Sequence, residues 1–229
     1  LEQESENKKK KILTWNVKRL EKKENKKILA KLYEFGADII VLTETSSILN
    51  LGENYNCIST ETLTENYDNV NYKVGEKRTT IWSKYNFVNH FQTFDNYTSI
   101  CSEIETEFGI LKVYGTIIGI FGGIGKRFES DLMGQLSDFE NFEAEKSNCI
   151  IGDLNVYFSG YAYPSRYARN ILNETFEKLK MENLTSEIAE NVDHIIISKE
   201  FIKNKKTEIE TWNLDKKLSD HIGICLTIT

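Results

Sequence analysis

Residues 149–155 read Cys149-Ile150-Ile151-Gly152-Asp153-Leu154-Asn155, and the reading of this stretch decides how the chain folds. The apolar run before the glycine has the composition of a short buried strand, and Gly152 lets the backbone change course. A carboxylate and a carboxamide follow, two residues apart. In an extended chain side chains at i and i+2 point the same way, so Asp153 and Asn155 are expected to face one cleft while Leu154 packs behind them. Such a strand delivers polar chemistry to the end of a sheet.

Working outward, residues 131–145 carry Leu132, Leu136, Phe139 and Glu143 along one stripe and predict a helix leading into that strand. After Asn155 comes an aromatic loop with Tyr157, Phe158, Tyr161 and Tyr163. A helix capped by Ser165 follows, with Ile171, Leu172, Phe176 and Leu179 inward. Residues 192–198 and 221–229 read as two further strands. Towards the N-terminus, residues 12–17 predict a strand, residues 24–35 a helix stopped by Gly36, and residues 39–42 a strand covered on both faces and ending in Thr43-Glu44. Residues 79–83, 99–105 and 110–116 are strand-like, the last two as a hairpin. Residues 119–125 hold four glycines but lack the Lys-Ser/Thr ending of a nucleoside-triphosphate loop. The rhythm is α/β with mixed sheets, and residues 45–71 carry no clear signal.

At 229 residues with a hydrophobic fraction of 40%, the chain fits a single domain over residues 11–229 after a polar, mobile tail at residues 1–10. No apolar run reaches the length of a membrane span and no secretory leader is visible, so an intracellular, cytoplasmic location is expected. The chain begins with Leu1, so a longer natural N-terminus can have been removed. Cys57, Cys101, Cys149 and Cys225 show no CxxC spacing, which argues against a zinc ribbon or a redox motif and for buried reduced thiols. The net charge of -6 hides an asymmetry: residues 1–31 hold 11 Lys and Arg against 5 Asp and Glu, and the remainder 18 against 30. A basic front on an acidic body is where an anionic polymer would find attraction.

Asn16, Glu44, Asp153 with Asn155, Asp193, and Asp220 with His221 each stand at the end or start of an apolar run. The series Thr14-Trp15-Asn16, residues 39–44 ending in Glu44, Gly152-Asp153-Leu154-Asn155, Val192-Asp193-His194 and Ser219-Asp220-His221 resembles the endonuclease/exonuclease/phosphatase superfamily, which includes exonuclease III and DNase I-like nucleases. Residues 77–84, with Arg78 ahead of Thr-Thr-Ile-Trp-Ser, resemble a strand these proteins carry in their first half. The resemblance covers residues 11–229. It implies a four-layer α/β/β/α sandwich, two mixed β-sheets packed face to face and flanked by helices, and a phosphoesterase using Mg2+, with Mn2+ as a possible substitute.

By the same resemblance Glu44, Asn16 and Asp220 form the metal set. Asp153 orients or deprotonates the attacking water, Asn155 hydrogen-bonds the phosphoryl oxygen, and His221 contacts the phosphate with Asp193 holding its ring. These roles suit the side chains: carboxylates are hard oxygen ligands, and a carboxylate behind an imidazole fixes its tautomer. One position departs. The family's His or Tyr after the strand at residues 111–116 falls at Ile117, which can neither donate a hydrogen bond nor move a proton. Tyr114, on the opposite face, reads as core, and His90 and His194 as ordinary surface or partly buried histidines.

Nucleic acid is the expected substrate. Lys18, Arg19, Lys22, Lys23, Lys26 and Lys27 supply a basic front on potential helix faces. Tyr161 and Tyr163 with Arg166 and Arg169 interleave rings with cations, as binders of single strands do, and Arg78 joins them as a candidate contact. Two alternatives remain: a phosphoinositide or phospholipid head-group phosphoesterase, and a catalytically silent binding module of the same fold.

Overall fold

The computed structural model describes residues 9–64 and 67–229. Residues 1–8 of the expected tail lie outside the described residues, and order begins by Lys10, inside the stretch assigned to that tail. The elements run β1 (Lys10–Asn16), α1 (Asn25–Phe35), β2 (Ile39–Ser46), β3 (Asn56–Ser59), β4 (Glu76–Ser83), β5 (Phe87–Phe91), β6 (Ile100–Thr106) and β7 (Gly109–Ile117). There follow α2 (Lys126–Glu140), β8 (Asn148–Asp153), α3 (Arg166–Lys178), β9 (Met181–Asn183), β10 (Asp193–Ser198), α4 (Lys199–Ile202), β11 (Thr207–Trp212) and β12 (Gly223–Ile228). They form two six-stranded sheets, ordered β11-β12-β1-β2-β4-β3 and β5-β6-β7-β8-β10-β9. Each is mixed, with one parallel pair, β1 with β2 and β7 with β8.

Three apolar clusters give the layers. Ile12, Val41, Ile81 and Ile224 of the first sheet meet Val113, Cys149, Ile151 and Ile195 of the second, so the sheets face each other. Ile28, Leu32 and Phe35 on the inner stripe of α1 pack against Leu13, Ile40 and Cys225 on the outer face of the first sheet. Phe128, Leu132 and Phe139 of α2, with Leu172 and Phe176 of α3, pack against Tyr114, Ile150 and Ile196 on the outer face of the second. Each sheet therefore buries both faces, and the arrangement is the expected four-layer α/β/β/α sandwich. The core side chains of β8 and β10 are fully enclosed, and each is worth roughly 1.5–3 kcal/mol on burial.

Helix α1 ends at Gly36, which takes the left-handed conformation (φ 54°), and its N–H closes on the Leu32 carbonyl. Ser165 caps α3 by accepting from the Ala168 N–H at 3.1 Å. Helix α2 departs from its expected span of 131–145: Gly125 (φ 95°) turns the chain so that it starts at Lys126, where Phe128 extends the apolar stripe. It ends at Glu140, leaving Glu143 exposed outside it. The basic front differs too. Residues 18–20 form a turn in which Lys18, Arg19 and Leu20 all have positive φ (47°, 52° and 57°), so Lys18 and Arg19 lie on no α-helix face. All four cysteines are free; three are buried, and Cys57 is exposed on β3.

Candidate active site

Parallel pairing sets Asn16, the last residue of β1, beside Thr43, next to Glu44 on β2. In the second sheet Asp153 ends β8 opposite Asp193, which opens β10, and next to Ile117, which ends β7. The loop before β12 carries Asp220 and His221. Face-to-face packing closes these ends on one another. The Asn16 carboxamide spans the two sheets, its Nδ2 donating to Glu44 Oε1 at 3.0 Å and to Asp153 Oδ2 at 3.1 Å. Opposite it, His221 Nδ1 meets Asp193 Oδ2 at 2.6 Å. Of the residues expected here, Asn16, Glu44, Asp153, Asp193, Asp220 and His221 come together.

The electrostatics follow from how much acid is gathered. Burial pushes the Asp153 carboxyl up to about 7; the negative charges of Asp193 and Glu44 add to this, and His221 opposes it. Burial likewise raises Glu44, against the hydrogen bond from Asn16. His221 goes the other way: burial works against its charge, but Asp193 beside Nδ1, with Asp153 and Asp220 nearby, pushes its pKa up to about 10. Asp220 is held low despite its partial burial, because Lys18 Nζ sits 2.7 Å from its Oδ2 and His221 is close.

This donor set fits a hard divalent cation. Glu44, Asp153 and Asp220 offer oxygen only, and Asp193 keeps a buried Oδ1 with no hydrogen-bond partner. Ligand atoms of Asp153, Asp193 and His221 lie within 4.8 Å of one another, a second way to hold an ion. The His221 Nδ1–Asp193 Oδ2 bond at 2.6 Å already joins two members of that group.

Asn155 departs from its expected place. It adopts φ 50°, and its backbone N–H bonds Asp153 Oδ1 at 3.0 Å while Nδ2 donates to the carbonyls of Ile118 and Gly119, both at 3.1 Å. The left-handed turn breaks the simple i, i+2 alternation. Both amide hydrogens are engaged, so Asn155 braces the residue 118–119 turn against Asp153 and has no hydrogen left for a phosphoryl oxygen. Ile117 is buried beside Asp153, an apolar side chain at the position where the family resemblance implies a His or Tyr. Tyr114 is core, its hydroxyl 2.5 Å from Asp138 Oδ2. His194 is completely buried, a correction to its reading as a surface or partly buried residue.

The expected substrate contacts are dispersed. Arg78 is 2% exposed and bonded to Thr98 Oγ1, Asp68 Oδ2 and the Tyr72 hydroxyl, so its guanidinium is engaged inside the protein. Tyr163 packs on Tyr157 and takes the Gly123 N–H on its hydroxyl. Arg169 is spent on the carbonyls of Tyr157, Ser159, Gly160 and Tyr161 and holds that loop. Tyr161 and Arg166 are exposed.

Three further residues position the site without standing at a strand end themselves. Trp15 Nε1 donates to the His221 carbonyl at 3.1 Å, Ser219 Oγ to the Asn16 carbonyl at 2.6 Å, and Asn213 Nδ2 to the carbonyls of Ser219 and His221. Together they tie the loop bearing His221 to β1. Trp15 and Ser219 lie inside the motifs quoted for their neighbours, and that adjacency was the only signal.

No family model matches the sequence, and no curated protein matches it. Solved structures do. An endonuclease/exonuclease/phosphatase from Beutenbergia cavernae aligns with a TM-score of 0.70 at 13% identity over 96% of this chain and 71% of that one. An AP endonuclease from Archaeoglobus fulgidus aligns with a TM-score of 0.69 at 15% identity over 95% and 98%. A 3′ phosphatase from Neisseria, solved bound to a product DNA hairpin, aligns with a TM-score of 0.67 at 12% identity over 95% and 98%. The chain has the endonuclease/exonuclease/phosphatase fold.

Proposed function

We propose that the protein is a member of the endonuclease/exonuclease/phosphatase superfamily and a divalent-cation-dependent phosphodiesterase that hydrolyses DNA or RNA. The observation that carries this reading is the Asn16 carboxamide bridging Glu44 and Asp153 across the two sheets, opposite the His221–Asp193 pair. A phosphodiester needs its charge neutralised, a water aligned for attack and its oxyanion held. Glu44 and Asp220, with Asn16 in support, would hold Mg2+, which when bound supplies charge neutralisation at the phosphate. Asp153 takes the proton of the attacking water; its raised pKa matches a base working near neutrality. His221 remains protonated through Asp193 and offers Nε2–H to a phosphate oxygen, since Nδ1 is occupied. Asn155 keeps Asp153 aimed by fixing the turn beside it.

The test is cleavage of plasmid, single-stranded DNA and RNA in Mg2+ with and without EDTA. Wild type is expected to cut at least one of them in an EDTA-sensitive way, and Asp153→Asn to be slower by about 10²–10⁴-fold, the usual contribution of a general base. Absence of EDTA-sensitive cleavage of all three sinks the reading. Phosphate release from inositol phosphates without nucleic-acid cleavage would favour the head-group alternative.

A further inference from the structure

A cavity of about 310 Å³ adjoins the catalytic cluster, with Glu44 and Ile117 in its lining. Ligand pockets begin at roughly 300 Å³, so the volume is enough for a single small ring system. Its apolar wall is formed by Leu63, Val70, Ile117 and Ile120, and Phe121, 57% exposed, stands on the glycine-rich loop at its rim.

The other wall carries Lys18, Arg19, Lys77 and Arg78, and the Arg19 guanidinium is pinned in place. Arg19 Nε and Nη2 both contact Glu76 Oε2 at 2.9 Å, Nη2 also reaches the Asn71 carbonyl at 2.6 Å, and the group lies 4.7 Å from the centre of the Tyr72 ring. Arg19 remains 25% exposed. Its backbone belongs to the run of three positive-φ residues, a conformation uncommon for non-glycine residues. The same turn carries Lys18 towards Asp220. Glu76 is 2% exposed, and its second oxygen, Oε1, is buried with no hydrogen-bond partner. The pocket wall thus combines a fixed cation with apolar surface.

We infer that this cavity receives one unpaired nucleobase next to the scissile phosphate, stacked on Arg19. The inference rests on the phosphoesterase reading above and narrows its substrate to nucleic acid whose base is free of its partner strand. A nucleobase is flat and stacks on guanidinium planes. An inositol polyphosphate would meet Lys18, Arg19 and Lys77 but leave the apolar wall unused, and an acyl chain would leave Arg19 unused.

The experiment measures kcat/KM at each phosphodiester of a labelled single-stranded oligonucleotide and of copies in which one position is replaced by an abasic analogue. Cleavage at the phosphate flanking the missing base is expected to fall about tenfold or more, and cleavage at distant phosphates to stay unchanged. Arg19→Ala should lower cleavage of the intact strand by a similar factor and add little on the abasic strand. Arg19→Lys, which keeps the charge and loses the plane, should behave like Arg19→Ala, and Phe121→Ala should follow the same split. Equal losses on intact and abasic strands, or rescue by Arg19→Lys, would overturn the pocket while leaving the nuclease chemistry intact. Wild type that releases phosphate from inositol polyphosphates and cuts no oligonucleotide would overturn the pocket and keep only phosphoester hydrolysis; inactivity on both overturns the two readings together.

Discussion

Two buried titratable groups, Asp153 and His194, pull stability in opposite directions with pH. His194 is fully enclosed; its Nε2 can meet the carbonyls of Val156 and Asn191 only as a donor, and Nδ1 faces Thr185 Oγ1 at 2.9 Å. Burial lowers its pKa from 6.5 to about 4. Its folded pKa lies below the unfolded one, so the unfolded chain binds the proton first as pH falls. Stability from this residue is complete above about pH 6.5 and is lost on the way to pH 4, a term of roughly 3 kcal/mol at the usual conversion of pKa shift to free energy. Asp153, raised from 3.8 to about 7, has the reverse sign: the folded chain takes up its proton first, and stability is gained from pH 7 down to 4. In metal-free protein, urea unfolding between pH 7 and 4 should therefore weaken more steeply with acid in Asp153→Asn than in wild type, and less steeply in His194→Gln. A His194→Gln profile parallel to wild type would contradict the assignment. At this scale the site was largely legible, because Asp153, Glu44, His221 and their partners end apolar runs whose pairing places them. Arg19 and Asn155 were not, since both depend on a left-handed backbone that ordinary residue types do not announce.

The strands that the sequence left unmarked, β3, β5, β9 and β11, are the four sheet edges. An edge strand buries little, so its residues need neither alternate nor be apolar; β5, for example, is exposed along most of its length. Central strands β1, β2, β8 and β10 are covered on both faces and read as continuous apolar runs for that reason. Within β8 the constraint is sharpest at Gly152. Its φ is 135°, and a Cβ there would stand 2.1 Å from the Thr116 carbonyl oxygen of β7. Relief requires moving the parallel β7–β8 pair, which also sets Ile117 against Asp153. Gly152→Ala is accordingly expected to destabilise the fold by more than about 3 kcal/mol, beyond the usual range for a strained residue alone. Thermal or urea unfolding measures it. A loss under about 1 kcal/mol would show that the glycine serves only as the bend first read there.

Across the whole molecule, charge is distributed less generously for a polyanion than the count of basic residues suggests. Lys18 is paired with Asp220, Arg19 with Glu76, Lys27 with Glu24, and Lys31 with Glu34. Lys22, Lys23 and Lys26 are exposed and form no ion pair among the described residues, and Arg166 is exposed at the start of α3. The rest of the surface belongs to a chain of net charge -6. For a single strand that meets only these three or four cations, counterion release predicts a slope of log K against log salt of about −2 to −3. Under the proposed function, affinity then has to come largely from stacking and from the phosphate site. The slope can be read from the anisotropy of a labelled single-stranded oligonucleotide bound to Asp153→Asn, titrated with potassium chloride. Replacing Lys22, Lys23 and Lys26 together by Ala should flatten it to about −1, because only Arg166 and the site itself would remain. A wild-type-like slope in that triple variant would move the phosphate track elsewhere, and a slope steeper than about −5 would mean that the paired cations Lys18 and Arg19 leave their carboxylates to meet the strand.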